Sequence, residues 1–180
     1  MYKVKPWQPN AVVGPTAGTP MAKPVALGKM IAKAKRPIFI IGVEGLLNDI
    51  DDGKQMIDLI IEVGKKGIPI VATAHSSKYF LERGFTPTWI TDSNNITNRL
   101  ADPDWKGIDG KGQYDFAVYC CIIYTLQVTL LNCLKNYAYK HLKTISLDRF
   151  YFPTATYSLA NLKKDEYKTA IKEIINEIIS

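Results

Sequence analysis

The chain has 180 residues, enough for one domain with a proper core, and 47% of them are apolar, which excludes disorder over most of its length. A formal charge of +6, from 23 basic against 17 acidic residues, is scattered rather than gathered into a basic stripe, so no nucleic-acid partner is expected. No apolar run approaches the roughly 20 residues that cross a bilayer, and the opening MYKVKPWQPN lacks the apolar stretch and small-residue site of a secretion signal; a soluble, cytoplasmic chain with no membrane contact is expected.

Residues 1–24 carry five prolines, at 6, 9, 15, 20 and 24, plus Gly14 and Gly18. Proline removes backbone donors and fixes φ, so an extended arm is expected there, with Trp7 as its one large apolar group. The arm either stays free or docks on the domain or a partner. An α/β domain over residues 25–180 should follow. A helix over Val25–Lys35 places Leu27, Met30, Ile31 and Ala34 on one face, and Pro37 stops it. Ile38–Ile41 is a strand apolar on both faces, as a parallel sheet covered on each side requires.

Gly42-Val43-Glu44-Gly45 leaves that strand, and a periodic stretch from Asp51 to Lys66 predicts the next helix. Ile68–Ala72 is the second strand, with Thr73–Ser76 as its exit turn and a short helix over Ser77–Arg83. A looser stretch around Pro87–Ile90 precedes a helix over Asp92–Leu100. Asp102–Asp115 (DPDWKGIDGKGQYD) is turn-rich, Tyr114–Cys120 a strand, Tyr124–Tyr137 a helix and Leu142–Leu147 a strand. From about Lys164, Ile171, Ile174, Ile175, Ile178 and Ile179 follow the spacing of a final helix packed on the sheet. Strands alternating with helices predict an α/β fold with a mainly parallel sheet.

The candidate chemistry is sparse. GVEG lacks the close glycine pair and the later acidic residue of the dinucleotide fingerprint. A crevice at the strand ends would still offer Gly42, Glu44, Gly45, Thr73 and His75 to a flavin or adenine nucleotide. Asp102, Asp104, Gly107 and Gln113 imitate a calcium loop, but Lys106 stands where an oxygen ligand belongs. Cys120, Cys121 and Cys133 form no CxxC pair and read as small buried apolar residues, so no metal is expected within the chain. Asp148 and Arg149 read as a local ion pair or helix-entry contact. No serine sits in GxSxG and no cysteine has an evident histidine partner, so no catalytic residue is expected. Trp105, with Asp104 and Ile108 in its loop, and more weakly Trp7, are the candidate partner anchors.

The segments RPIFIIGVEG, GIPIVATAHSS, DPDWKGIDGKGQYD and KTISLDRFYFPTATYSLANL, with the isoleucine helix, closely resemble the epsilon subunits of archaeal acetyl-CoA decarbonylase/synthase (carbon monoxide dehydrogenase) complexes. The first half also looks like the FAD- or NAD-binding middle domain of thiamine-diphosphate enzymes, whose other domains would not fit in this length. These resemblances imply a Rossmann-like single domain and an accessory role. They imply that the chain joins a large alpha subunit carrying the nickel–iron–sulfur clusters, with two copies of each chain, and stabilises it or helps pass electrons to FAD. Two segments depart from the pattern: the arm before Ala22 is less recognisable, and Tyr119-Cys120-Cys121 lacks the glycine expected after that strand. The alternative is a free-standing flavin- or adenine-nucleotide-binding module.

Overall fold

The computed structural model describes residues 16–51 and 53–180. In chain order the elements are β1 (Thr19–Pro20), α1 (Pro24–Lys33), β2 (Pro37–Ile41), β3 (Asp49–Asp51), β4 (Lys54–Gln55), α2 (Met56–Lys65), β5 (Ile70–Ala72), α3 (Ala74–Glu82), β6 (Trp89–Ile90), α4 (Ser93–Ala101), β7 (Phe116–Cys120), α5 (Tyr124–Tyr137), β8 (Lys143–Ser146), β9 (Tyr157–Ser158) and α6 (Lys164–Ile179). Seven strands form one sheet in the order β1-β9-β8-β7-β2-β5-β6, and every neighbouring pair is parallel. Setting β1 aside, this is the strand order of a doubly wound Rossmann sheet, and its direction of winding reverses between β2 and β7.

The alternation of side chains along the central strands divides the core into two layers. Phe39 and Ile41 of β2 join Ile70, Val118 and Ile145 against α1, α2 and α6. Ile38 and Ile40 point the other way, to Ile96 and Leu100 of α4 and Leu130, Leu131 and Leu134 of α5. All four β2 residues are fully buried, which is why this strand reads as an unbroken apolar run rather than an alternating one. On the second layer Tyr119 is buried with its hydroxyl 2.7 Å from Thr97 Oγ1, so its one polar atom is satisfied inside the core.

The closest helix packing is between α1 and α6. Leu27, Gly28 and Ile31 are the buried face of α1, while Met30 and Ala34 of the expected stripe are only half-buried. Gly28 is what lets the two backbones approach: a Cβ there would lie 2.6 Å from the carbonyl oxygen of Ile174. After α1 the chain reverses into β2, and the Asp115 carboxylate accepts the amides of both Lys35 and Arg36 at 2.8 Å. The turn-rich loop is thereby tied to the sheet. It is tied again by Arg36, whose guanidinium donates to Asp109 at 2.6 Å and lies over the Tyr114 ring.

Three local expectations are corrected. Asp49–Gln55 is an antiparallel hairpin, so helix α2 starts at Met56 rather than Asp51. Its bulge at Asp49/Asp51 and Gly53 at φ 89° supply the turn, and the Asp58 carboxylate accepts the Gln55 amide at the helix entrance. Thr73–Ser76 is not a free turn: Thr73 precedes α3, which already includes Ala74, His75 and Ser76. Trp89–Ile90 is a short edge strand rather than a loose segment. Of the expected arm, residues 1–15, Trp7 included, lie outside the described residues. Thr19–Pro20 adds to the sheet edge beside β9, a position where proline removes no needed donor. Gly18 and Met21 donate to the carbonyls of Pro153 and Ser158, and Tyr151 donates to that of Gly18.

Gly28→Ala is expected to lower stability by about 1–3 kcal/mol, because the added methyl meets backbone that cannot rotate away. Urea unfolding of the variant beside the parent chain measures this; an unchanged midpoint would show that α1 and α6 separate easily.

Candidate functional site

In a sheet of this order the ligand crevice lies at the carboxyl ends of the strands where the winding reverses, here between β2 and β7. The two exits are pressed together there. The Gly42 amide donates to the Cys120 carbonyl at 3.0 Å, and the Glu44 amide to the Cys121 carbonyl at 2.7 Å. A Cβ on Gly42 would stand 2.1 Å from the Cys121 oxygen. The closeness that a dinucleotide fold reserves for a pyrophosphate is therefore taken by the protein's own next turn.

Cys121 makes that turn with φ 62°, in the left-handed region where the expected glycine would be at ease. Helix α2 does not restore a phosphate cradle. The β3–β4 hairpin separates it from β2, and Asp58 already sits in its first turn.

A cavity of about 680 Å³ opens beside this junction. Glu44 and Gly45 line one side, Ile122, Ile123 and Tyr124 the second, Asp148, Arg149 and Phe150 the third, and Lys164, Tyr167 and Lys168 of α6 close it. Lys168 is paired with Asp49 at 2.7 Å. Of the five sequence candidates, Glu44 and Gly45 line the cavity and Gly42 is buried at the strand exit. Thr73 and His75 belong to the entrance of α3 and are not part of its wall; His75 is exposed on the helix.

The loops around the cavity carry exposed apolar side chains. Of the eight large apolar side chains that are exposed among the described residues, Val43, Leu47, Ile123 and Phe150 belong to its three surrounding loops. The second candidate surface is arranged differently. Trp105 is half-buried, its ring 5.8 Å from Tyr114 and 6.5 Å from Trp89, and Ile108 packs on the same layer of the core. Asp104 is exposed.

Sequence reasoning missed the role of Asp148. It forms no ion pair with Arg149, whose guanidinium lies over the Phe150 ring. Asp148 instead turns inward, where Oδ1 accepts the Cys121 amide at 2.8 Å and Oδ2 accepts Gln127 Nε2 at 2.5 Å. Ser146 Oγ donates to the same oxygen at 3.2 Å. Burial outweighs these donors and pushes the Asp148 carboxyl up to about 6. The hydrogen bond to Cys121 and burial hold the Cys120 thiol well above its ordinary range. One signal was available in advance: an acidic residue leaving an apolar strand next to the central one.

No described helix is long and apolar enough to cross a membrane. Fold and site together define a Rossmann-like domain whose switch point is closed by its own backbone and rimmed by apolar side chains. Residues 2–175 match the family model described as CO dehydrogenase beta subunit/acetyl-CoA synthase epsilon subunit, and the chain belongs to that family. It is 41% identical over 164 residues to the acetyl-CoA decarbonylase/synthase complex subunit epsilon of Methanothrix soehngenii, covering 88% of this chain and 84% of that one. To the subunit epsilon 1 of Archaeoglobus fulgidus it is 35% identical, over 87% of this chain and 83% of the relative. The subunit epsilon of Methanothermobacter thermautotrophicus is 29% identical over 97% of this chain and 96% of its own length.

A raised carboxyl pKa has a definite sign in the stability profile. Between the ordinary value of 3.8 and about 6 the folded chain binds the Asp148 proton more tightly than the unfolded chain. Relative to Asp148→Asn, the parent chain should therefore hold its full advantage below pH 3.8 and lose it as pH rises through about 6. Paired urea titrations across that range, in buffer containing a chelator, measure the difference; a gap that does not change with pH would mean the carboxyl is solvated.

Proposed function

We propose that this chain is an accessory, non-catalytic subunit of a cytoplasmic acetyl-CoA decarbonylase/synthase, docking on and stabilising the large alpha subunit that carries the nickel–iron–sulfur clusters. The arrangement proposed is a symmetric assembly with two copies of each chain. Family membership supports the subunit role, and the observation that carries the docking site is the rim of Val43, Leu47, Ile123 and Phe150. Exposed aliphatic and aromatic side chains gathered on adjacent loops are costly to hydrate and are what a partner surface removes from water. Ile123 and Phe150 line the cavity itself, and Val43 and Leu47 lie on the loop that supplies Glu44 and Gly45 to its wall.

The test is assembly. Ile123→Glu and Phe150→Glu should each weaken capture by the co-expressed alpha subunit at least tenfold, about 1.4 kcal/mol, while leaving the isolated chain's melting temperature near that of the parent. Trp105→Ala is the contrasting variant. Its ring is packed against Trp89 and Tyr114, so its truncation is expected to lower the chain's own stability. Retention of full capture by both rim variants would move the interface elsewhere, with the loop of Asp104, Trp105 and Ile108 as the next surface to probe.

A second reading, a flavin- or adenine-nucleotide site that would serve electron transfer to FAD, is favoured by one observation. The cavity has the size of a small-molecule site and its wall includes Arg149, Lys164 and Lys168, which could neutralise phosphates in place of a helix terminus. Gly45, at φ 74°, would give the closest backbone approach. Titration with FAD and with ADP decides it: a ligand present at 100 times its Kd stabilises the folded chain by about 2.7 kcal/mol. No thermal shift at millimolar ligand would remove this reading and leave the docking proposal intact.

A further inference from the structure

Cys120, Cys121 and Asp148 come together beneath the cavity in a way that neither core packing nor docking explains. One sulfur from each cysteine and one oxygen from Asp148 all lie within 4.8 Å of one another. The two Sγ atoms are 3.3 Å apart, and both cysteines are buried. We infer that these three side chains form a binding site for a thiophilic divalent cation of the zinc class, with a fourth position open to a water or anion from the adjoining cavity.

The donor set fits such an ion. Two thiolates and a carboxylate are the ligands that zinc and cadmium prefer, and three protein ligands with one open position is a common arrangement for zinc. Zinc–sulfur bonds of about 2.3 Å in tetrahedral geometry put two sulfurs roughly 3.8 Å apart, so the pair needs to open by only about half an ångström. The surroundings are those of a supported ligand set. Gln127 and Ser146 both donate to Asp148 Oδ2 and the Cys121 amide donates to Oδ1, so the carboxylate is held in orientation. Gln127 is fully buried, and its Oε1 has no partner among the described residues. Asp148 and Tyr167 both line the cavity, which supplies the route in. Cys121 also holds a left-handed backbone at φ 62°, and its thiol lies beside that of Cys120. On binding, the cation replaces the thiol protons, which pass to the solvent.

Cadmium is the probe, added to the reduced full chain in a phosphine reductant. The expected result is a saturable thiolate-to-cadmium charge-transfer band at one ion per chain, with release of protons to a weakly buffered solution. Cys120→Ser and Cys121→Ser should each halve the band and weaken binding a hundredfold. Asp148→Asn should weaken it about tenfold with the band retained, and Cys133→Ser should leave it unchanged. Absence of the band at tenfold excess, or a band that survives loss of Cys120 and Cys121, overturns the site. Should a serine variant fail to fold, the parent chain's melting temperature in cadmium replaces it: a rise supports the site, and no rise overturns it.

Discussion

The contact between the exits of β2 and β7 is the constraint on which the rest of the site depends. Gly42 and Glu44 donate to the carbonyls of Cys120 and Cys121, so the two turns that a nucleotide-binding sheet keeps apart are joined by main-chain hydrogen bonds. That junction needs a residue without a side chain at 42, since even a methyl would meet the Cys121 oxygen. It needs a left-handed residue at 121 to turn the chain towards α5. Once it is made, the Cys121 amide is free to donate to Asp148, and the two thiols are held side by side. The cavity, the partly buried Asp148 carboxyl and the loops that carry exposed apolar side chains all lie beside the point where these two turns meet.

Much of the fold was legible because its signals are local and repetitive. The leucines of α5 and the isoleucines of α6 carry a helical period, and the short unbroken apolar runs of β2 and β5, bounded by proline and glycine, have the length of buried strands. The hairpin at Asp49–Gln55 was not legible. Two very short strands leave no alternation to detect, and the following helix has a pattern strong enough to absorb them. The face of α1 was displaced for a related reason: a glycine at an interface contributes by what it lacks, and apolar counting passes over Gly28.

The site was harder to read than the fold. Glu44 and Gly45 could be placed at the cavity because they leave the central strand directly. His75 and Thr73 leave β5, one strand further from the reversal, and the chain direction there carries them into α3. Asp148 was visible as a strand-end acid, but two of its partners, Gln127 and Cys121, are 21 and 27 residues away, and no spacing rule connects them. Trp105 illustrates a different ambiguity. A tryptophan in a glycine-rich loop has the same sequence whether it faces a partner or packs inward; here the half-buried ring lies near Trp89 and Tyr114 and keeps one side in solvent.

A closed switch point is a physical reason for an accessory role rather than a mere absence of chemistry. In an open crevice the strand-end amides would be available to a ligand's phosphates; here they are spent on the neighbouring turn. What remains accessible at that end of the sheet is side chains, and among the described residues the exposed ones on these loops include Val43, Leu47, Ile123 and Phe150. Such groups offer apolar surface to a partner of matching shape. Main-chain hydrogen bonds also hold the loops after β2 and β7 together, so little conformational entropy would be lost if a partner covered them as proposed. The same rigidity favours a preformed ligand set at Cys120, Cys121 and Asp148, because a metal site held by main-chain hydrogen bonds needs little reorganisation to bind.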